Sequence, residues 1–463
     1  MSKLERNIWE KTLNYDKRDN MLFIFIDKIT NRVGYTLSLI FKDILGVDYK
    51  ITTNREAFEN YEGAKLSYSK NRIGQEAFIC STDLLFETVI EIKELNLFEY
   101  RGNPAVFRTF SKDSILPFDI FAASFYFVSR YEEYLPFIQD NHGRFRYQES
   151  FAFKNSFLHK PIVNIWAKQL EEKLKEIYPD LEFSKHYFRF YNTIDIDSAY
   201  SFKEKGLARK TVGFIRDVLS GNFSEFVYRF NVLFLGKQDP YDTFDYQISL
   251  IKKHKLKTIY FILFGHYGKY DKNISPYNKK FQMLIKYLCD YAKVGVHPSY
   301  ASFDQKEELS IQIKELLQVI HKPVFRSRFH FLKFRLPISF RRLLENMITD
   351  DYSMGYSDII GFRAGICSGY NFYDLEVDGE TKLRLHPFAL MDVALKNGMG
   401  LSPEEAVEKI KQIANEVIEV EGDFISVWHN ESMCERYQWK GWREVYEKMI
   451  EYVSAVDRTP FEQ

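Results

Sequence analysis

Short apolar runs and amphipathic segments alternate along the second half of the chain. Six runs rich in β-branched and aromatic residues predict buried strands at residues 188–196, 257–264, 294–297, 324–329, 359–364 and 424–428. Apolar positions at helical spacing predict amphipathic helices at residues 242–254, 279–292, 305–320 and 403–421. Strands and helices that alternate in this way predict a parallel sheet, closed or nearly closed into a barrel.

The first part of the chain follows a different pattern. Residues 21–26 and 77–80 predict short strands and residues 119–134 predict a helix, which together indicate a mixed α+β region. A second helical pattern ends in Tyr178-Pro179-Asp180, just before the first strand of the sheet. We therefore predict an α/β protein in which an N-terminal α+β domain of residues 1–185 precedes a larger barrel domain of residues 186–463.

Composition does not favour several classes of partner. Lys+Arg and Asp+Glu both number 64, so the net charge does not favour nucleic acid or an anionic membrane. The early apolar runs are too short for a signal peptide or a membrane span, which predicts a cytoplasmic location. Amphipathic contact with a membrane surface and the oligomeric state stay open. The four cysteines share no C-x-x-C spacing, and neither a disulfide framework nor a thiolate zinc site is indicated: Cys80, Cys289, Cys367 and Cys434.

Two aspartates end the first predicted strand of the sheet. Because side chains on a strand alternate, Asp195 and Asp197 should share one face about 7 Å apart. A cation, a shared proton or solvent would relieve their repulsion. An isolated pair of this kind is more often part of a solvated turn that closes the strand.

Chemically active side chains also follow other predicted strands. His297 follows Val294-Gly295-Val296, His330 follows Arg328-Phe329, and His429 follows Val427-Trp428, while Arg363 lies in Gly361-Phe362-Arg363-Ala364. Each histidine by itself is compatible with a hydrogen-bonded structural residue. Since reactive groups collect at the carboxyl ends of parallel strands, the whole set is typical of a metal hydrolase.

These residues resemble the motifs of the polysaccharide deacetylases of carbohydrate esterase family four, over residues 186–455. The family's first motif is similar to Thr193-Ile194-Asp195-Ile196-Asp197, with one residue inserted between the carboxylates. The resemblance implies that Asp195 is the catalytic base and Asp197 a metal ligand, although the insertion leaves the reverse assignment open. Residues 1–185 resemble the uncharacterised N-terminal region of a bacterial subgroup.

The second motif departs from the family. His297 matches its first histidine, but Ala301 stands where the second should be. Two interpretations stay open. Either His330 supplies the third metal ligand, or the metal site is weak or lost.

The remaining motifs assign the other roles by resemblance. Arg363 would orient the base Asp195, and His429 would be the general acid. The aspartate that tunes this acid has three candidates, Asp392, Asp351 and Asp358.

The resemblance implies a distorted (β/α) barrel that holds a divalent metal, with zinc the expected ion. The implied reaction is N-deacetylation of an N-acetylated amino sugar in a glycan or glycan precursor, so the expected partner is a carbohydrate substrate. A cytoplasmic location would favour a nucleotide-linked or lipid-linked sugar, or a nascent envelope polysaccharide.

Two alternative functions stay open. A barrel that has lost its chemistry, which Ala301 makes credible, would act as a carbohydrate-binding or scaffold protein. A glycoside hydrolase would use Asp195 or Asp197 with a distant carboxylate and would need no metal.

Overall fold

The computed structural model describes residues 21–457. Contacts within the chain define two compact units, the first from residues up to 87, 95–122 and 166–185, and the second from residues 88–94, 123–165 and 186 onward. The boundary between residues 185 and 186 stays a prediction. The start of the first predicted domain and the end of the second lie outside the described residues. In this part of the chain no helix has the length and apolar character needed to cross a bilayer.

The first unit contains a small parallel sheet. Its four strands pair in the order β2-β1-β3-β4, and the central strand β1 is buried at all five positions because it lies inside the sheet. An antiparallel pair, β5 and β6, lies apart from this sheet. The six strands are β1 (Leu22–Ile26), β2 (Tyr49–Thr52), β3 (Lys65–Ser69), β4 (Ala77–Cys80), β5 (Phe98–Tyr100) and β6 (Asn103–Ala105).

Short helices accompany these strands. Asp119 begins the third helix of the chain, because its Oδ1 accepts hydrogen bonds from the backbone N–H groups of Phe121 and Ala122. The predicted helix at residues 119–134 is therefore present, but it stops at Val128. The five helices described before residue 186 are α1 (Asn31–Leu37), α2 (Arg55–Glu59), α3 (Ile120–Val128), α4 (Phe151–Lys154) and α5 (Ile162–Ile177). Of these, α1 and α2 lie in the first unit, α4 lies in the second, and α3 and α5 each include residues of both.

The second unit is built on a large sheet that is mostly parallel, as predicted. Its nine strands pair in the order β12-β13-β11-β10-β9-β8-β7-β15-β14, and β12 with β13 is its one antiparallel pair. No described pairing joins the outermost strands. The nine strands are β7 (Arg189–Ile196), β8 (Lys257–Ile262), β9 (Lys293–Val296), β10 (Arg326–Ser327), β11 (Asp350–Asp351), β12 (Tyr370–Asp374), β13 (Gly379–Leu385), β14 (Leu390–Met391) and β15 (Asp423–His429).

The four predicted amphipathic helices of this unit are confirmed within a few residues. The helix that begins at Pro403 has the capping box its sequence indicates, in which Ser402 and Glu405 each accept a hydrogen bond from the other's backbone N–H. The helices of the unit are α6 (Gly206–Leu219), α7 (Phe223–Phe234), α8 (Phe244–His254), α9 (Lys279–Cys289), α10 (Lys306–Ile320), α11 (Ile338–Glu345), α12 (Pro403–Glu419) and α13 (Trp442–Ser454).

The predicted strand at residues 359–364 is wrong. Gly361 has φ +139, a conformation that L side chains rarely adopt, and its neighbour Phe362 donates its backbone N–H to the carbonyl oxygen of Leu158. A Cβ at Gly361 would lie 2.6 Å from that same oxygen. The segment is therefore a loop shaped by close backbone contact, which its apolar composition alone does not reveal.

Candidate active site

Four strand ends, which together carry five candidate side chains, meet at one edge of the large sheet. Asp195 lies in β7 and faces His429 of β15 in the parallel register, while Asp197 follows β7 directly. His297 and His330 follow the next strands, β9 and β10. The five side chains line a cavity of about 400 Å³.

Three of these side chains form a candidate metal site. Asp197, His297 and His330 each offer one donor atom, and the donors all lie within 4.8 Å of one another. The Oδ1 of Asp197 is 3.3 Å from His297 Nε2, and its Oδ2 is 3.3 Å from His330 Nε2. No second group of this kind was found among residues 21–457.

Hydrogen bonds fix the orientation of both imidazoles. His297 Nδ1 lies 2.5 Å from the carbonyl oxygen of Arg328, and His330 Nδ1 lies 2.8 Å from Asp271 Oδ1. These acceptors favour the tautomer with a proton on Nδ1. The Nε2 lone pairs then face Asp197, as in metal sites whose ligating histidines have such outer partners.

The electrostatics of this group favour a cation at its centre. Burial opposes the charged form of Asp197, but His330, His297 and His429 together hold the pKa of this carboxyl well below its ordinary value. Burial would also lower the pKa of His330, yet Asp197 and Asp271 raise it to about 9. A proton on His330 and a divalent ion are thus alternative ways to balance the charge of Asp197.

One buried carboxylate oxygen in the site can still accept a bond from a ligand. Asp197 Oδ1 is buried and accepts no hydrogen bond from any group in the described chain. One carboxylate and two imidazoles are a donor set that suits zinc and leaves further coordination positions open. The residues present therefore fit a catalytic divalent metal.

The structure brings His330, rather than a residue at position 301, to Asp197. Ala301 lies in a short 3-10 helix after β9 and donates its backbone N–H to Asp271. Because Asp271 also holds His330, the loop after β8 orients the histidine that ends a different strand. Asp271 was missed from the sequence, where nothing distinguishes it from other loop aspartates.

Asp195 is held by a buried arginine. Arg328 Nη1 donates to Asp195 Oδ1 at 2.7 Å, and its other nitrogens donate to Thr193 and to the carbonyl oxygen of Tyr352. The Arg328 side chain is fully buried. Since the second carboxylate oxygen of Asp195 lies 3.8 Å from His297 Nε2, this carboxylate borders the candidate metal site.

Arg363, predicted to orient Asp195, lies elsewhere. Its guanidinium donates two hydrogen bonds to Glu133, at 2.8 and 2.7 Å, and Arg130 donates a further one to the same carboxylate. Although burial opposes ionisation, these two arginines lower the pKa of Glu133 below its ordinary value. The expected contact between Arg363 and Asp195 is therefore corrected to one between Arg328 and Asp195.

His429 is oriented by Asp392. His429 Nδ1 lies 2.8 Å from Asp392 Oδ1, and the backbone N–H of His429 donates to the other oxygen. Burial opposes the imidazolium, but Asp392, Asp197 and Asp195 raise the pKa of His429 well above its ordinary value. Asp351 and Asp358, the other two candidates for the aspartate that tunes the acid, have different partners. Asp351 accepts hydrogen bonds from two serines, and Asp358 lies beside Arg144.

Comparisons with known proteins give one family match and distant structural similarities. Residues 22–179 match the model of a family of unknown function, DUF7033. A protein of Mycobacterium smegmatis that has been assigned as a polysaccharide deacetylase is similar in structure, with 14% identity, a TM-score of 0.39 and coverage of 59% of this chain and 86% of that chain. A polysaccharide deacetylase from Bacillus cereus is 11% identical, with a TM-score of 0.26 and coverage of 58% and 86%.

No curated protein matches this chain. Both TM-scores are low and both identities are small.

Replacing Asp271 by asparagine should weaken metal binding. The amide no longer offers His330 Nδ1 a charged acceptor, and loss of such an outer partner costs about 10- to 100-fold in metal affinity. Titration with Zn²⁺ against a competing chelator measures the change. Asp350→Asn is the matched control, because Asp350 forms the same 2.8 Å contact with His386, which does not line the cavity. Equal affinities for the two variants would contradict this role of Asp271.

Proposed function

We propose that this protein is a metal-dependent hydrolase that removes N-acetyl groups from an amino sugar in a glycan or glycan precursor. The observation that carries the proposal is the arrangement around Asp197. The three-donor site lies between the carboxylate of Asp195, which Arg328 holds, and the imidazole of His429, which Asp392 holds. A candidate metal, base and acid thus meet in one cavity. The sugar part of the proposal rests on the resemblance of the sequence motifs.

Asp197, His297 and His330 would hold the metal, and we propose zinc. When bound, such an ion polarises a carbonyl group and lowers the pKa of water toward about 7. To such an ion Asp197 would contribute a negative charge, and the two histidines would contribute neutral Nε2 donors. Asp271 and the carbonyl oxygen of Arg328 hold both rings in the required orientation.

Asp195 would be the general base. Its two carboxylate oxygens have different surroundings. Oδ1 accepts a hydrogen bond from Arg328, whereas Oδ2 lies toward His297 and the cavity. Arg328 stabilises the negative charge and prevents rotation of the carboxylate. The free oxygen can then accept a proton from a nucleophilic water.

His429 would be the general acid. Asp392 holds its Nδ1, which leaves Nε2 facing the cavity 3.9 Å from Asp197 Oδ2. An amine is a poor leaving group until it is protonated, and the imidazolium can supply that proton. Base and acid stand on the adjacent strands β7 and β15, in register with each other.

The division of the chain is a proposal of the same kind. We propose that residues 186–463 carry the catalysis in the cytoplasm on a distorted barrel. Residues 1–185 would form a separate domain, although residues 123–165 belong to the second compact unit. Arg144, from that stretch, lines the cavity together with Asp195 and His429.

Metal content and acetate release test the proposal together. We expect purified protein to bind one equivalent of Zn²⁺, and to release acetate from N-acetylglucosamine oligomers in a reaction that a chelator abolishes and Zn²⁺ restores. Mass spectrometry of the metal and an enzymatic acetate assay measure both. Protein that binds glycans without metal and releases no acetate would support the scaffold alternative. New reducing ends formed without metal would support a glycoside hydrolase.

A further inference from the structure

Two helices between β7 and β8 form a feature that the proposed chemistry does not use. Helices α6 and α7 contact each other and are joined by residues 220–222, and we call this unit the helical hairpin. It begins nine residues after Asp197, at the sheet edge that carries the candidate site.

The inside of the helical hairpin is polar and tightly fitted. Asp217 and Arg229 form a buried ion pair at 2.6 Å between the two helices. A Cβ at Gly213 would lie 2.6 Å from the Arg229 guanidinium, so glycine allows the arginine to fit there. A buried charge pair thus joins the two helices, with Phe214 and Phe226 in contact beside it.

The outside is apolar. Exposed apolar side chains recur at helical spacing on α6, and on α7 they occupy positions 223, 227, 230 and 234. Of the 30 large apolar side chains that are exposed in the described chain, ten lie between residues 207 and 235. They are Leu207, Val212, Ile215, Val218, Leu219, Phe223, Val227, Phe230, Phe234 and Leu235. A stripe of this kind normally faces a protein core, and an exposed one marks an interaction surface.

The charge of this segment selects the partner. The helical hairpin contains four Lys or Arg and two Asp or Glu, and its flanking residues raise the counts over residues 203–237 to seven and three, a net charge of +4 in a chain whose formal net charge is zero. A second copy would bring equal positive charges together, which opposes association through this face. An anionic lipid surface instead offers both opposite charge and an apolar layer beneath it.

We propose that the helical hairpin docks the protein onto the surface of a membrane that contains anionic lipids. The two helices lie along the interface, and their outer apolar side chains enter the boundary between headgroups and acyl chains. Basic side chains such as Lys210 and Arg216 contact the headgroups.

The base of the helical hairpin is tied to the candidate site. Arg209 donates to the carbonyl oxygen of Asn273, and Glu204 accepts from Asn278. Both partners lie in the loop that also carries Asp271, the residue that orients His330. Membrane docking does not depend on the proposed catalysis. If both hold, the cavity works beside the bilayer and its substrate is a lipid-linked sugar.

Cosedimentation of the full-length protein with vesicles tests the docking. We expect binding to vesicles of phosphatidylcholine and phosphatidylglycerol and much weaker binding to phosphatidylcholine alone. The change Leu219→Ser with Phe223→Ser should lower the partition coefficient by about 100-fold or more, because two large side chains no longer enter the bilayer. Lys210→Gln with Arg216→Gln should lower it by about fivefold for each charge removed.

Met347→Ser with Val377→Ser is the matched control. Their exposures of 79% and 66% match the 83% and 67% of Leu219 and Phe223, but they lie outside the helical hairpin. Circular dichroism checks that every variant is folded. The proposal is overturned if the wild-type protein does not bind anionic vesicles, or if the Leu219→Ser, Phe223→Ser variant binds them as well as the Met347→Ser, Val377→Ser control does. It is also overturned if light scattering shows a dimer that dissociates with Leu219→Ser and Phe223→Ser.

Discussion

His330→Ala is expected to remove the metal from the purified protein and to abolish acetate release. The three donors of Asp197, His297 and His330 converge within 4.8 Å, so the variant leaves one carboxylate and one imidazole. Losing a ligand should reduce metal affinity by more than the ~100-fold that follows from losing a residue that only orients a ligand. Competition titration with Zn²⁺ and mass spectrometry of the metal measure the loss.

His142→Ala provides the control for this change. His142 lines the same cavity, but its Nδ1 lies 3.1 Å from the hydroxyl of Tyr300 and it does not belong to the three-donor group. We expect this variant to keep its metal. A His330→Ala variant that retains one tightly bound equivalent of Zn²⁺ would rule out His330 as the ligand that takes the place of the histidine missing at position 301.

Asp195→Asn should lower turnover by about 100- to 10,000-fold while metal content stays unchanged, because an amide cannot act as a general base. The amide has almost the same shape as the carboxylate, and its oxygen can still accept the hydrogen bond from Arg328. The variant does leave the positive charge of Arg328 buried without its partner, which is destabilising. Turnover should therefore be measured well below the unfolding temperature, together with bound zinc.

Asp217→Asn separates this catalytic effect from the loss of a buried ion pair. Asp217 pairs with Arg229 at 2.6 Å, and both side chains are buried almost as deeply as Asp195 and Arg328, but neither lines the cavity. We expect Asp217→Asn to lower stability and to keep turnover on a soluble substrate. The assignment of base and metal ligand can also fail. If Asp195→Asn loses its metal but His297→Ala keeps it, then the roles of Asp195 and Asp197 have to be reassigned.

Much of the second unit could be predicted from the periodicity of the chain. The strands predicted at residues 188–196, 257–264 and 424–428 are long and apolar, and they form three adjacent strands of the sheet, β7, β8 and β15. Prediction was weaker at one side of the sheet. There β10 and β11 are two residues long, and the pair β12 and β13 was missed, because short or half-exposed strands carry little periodic signal.

The sequence by itself determined which chemical groups end the strands. Asp195, Asp197, His297, His330 and His429 were all identified there, since parallel strands bring their carboxyl ends to one edge. What only the tertiary structure decided was the partner of each group. Arg328 rather than Arg363 holds Asp195, Asp271 holds His330, and Asp392 holds His429.

The physical reason is the distance along the chain. Arg328 lies 133 residues from Asp195, and Asp271 lies 59 residues from His330. Such pairs are selected by strand order, register and loop conformation, and each buried charge takes the complementary group that the fold brings within reach. Local sequence patterns determine strands, helices and the residues at their ends, whereas the pairing of buried charges is a property of the assembled sheet.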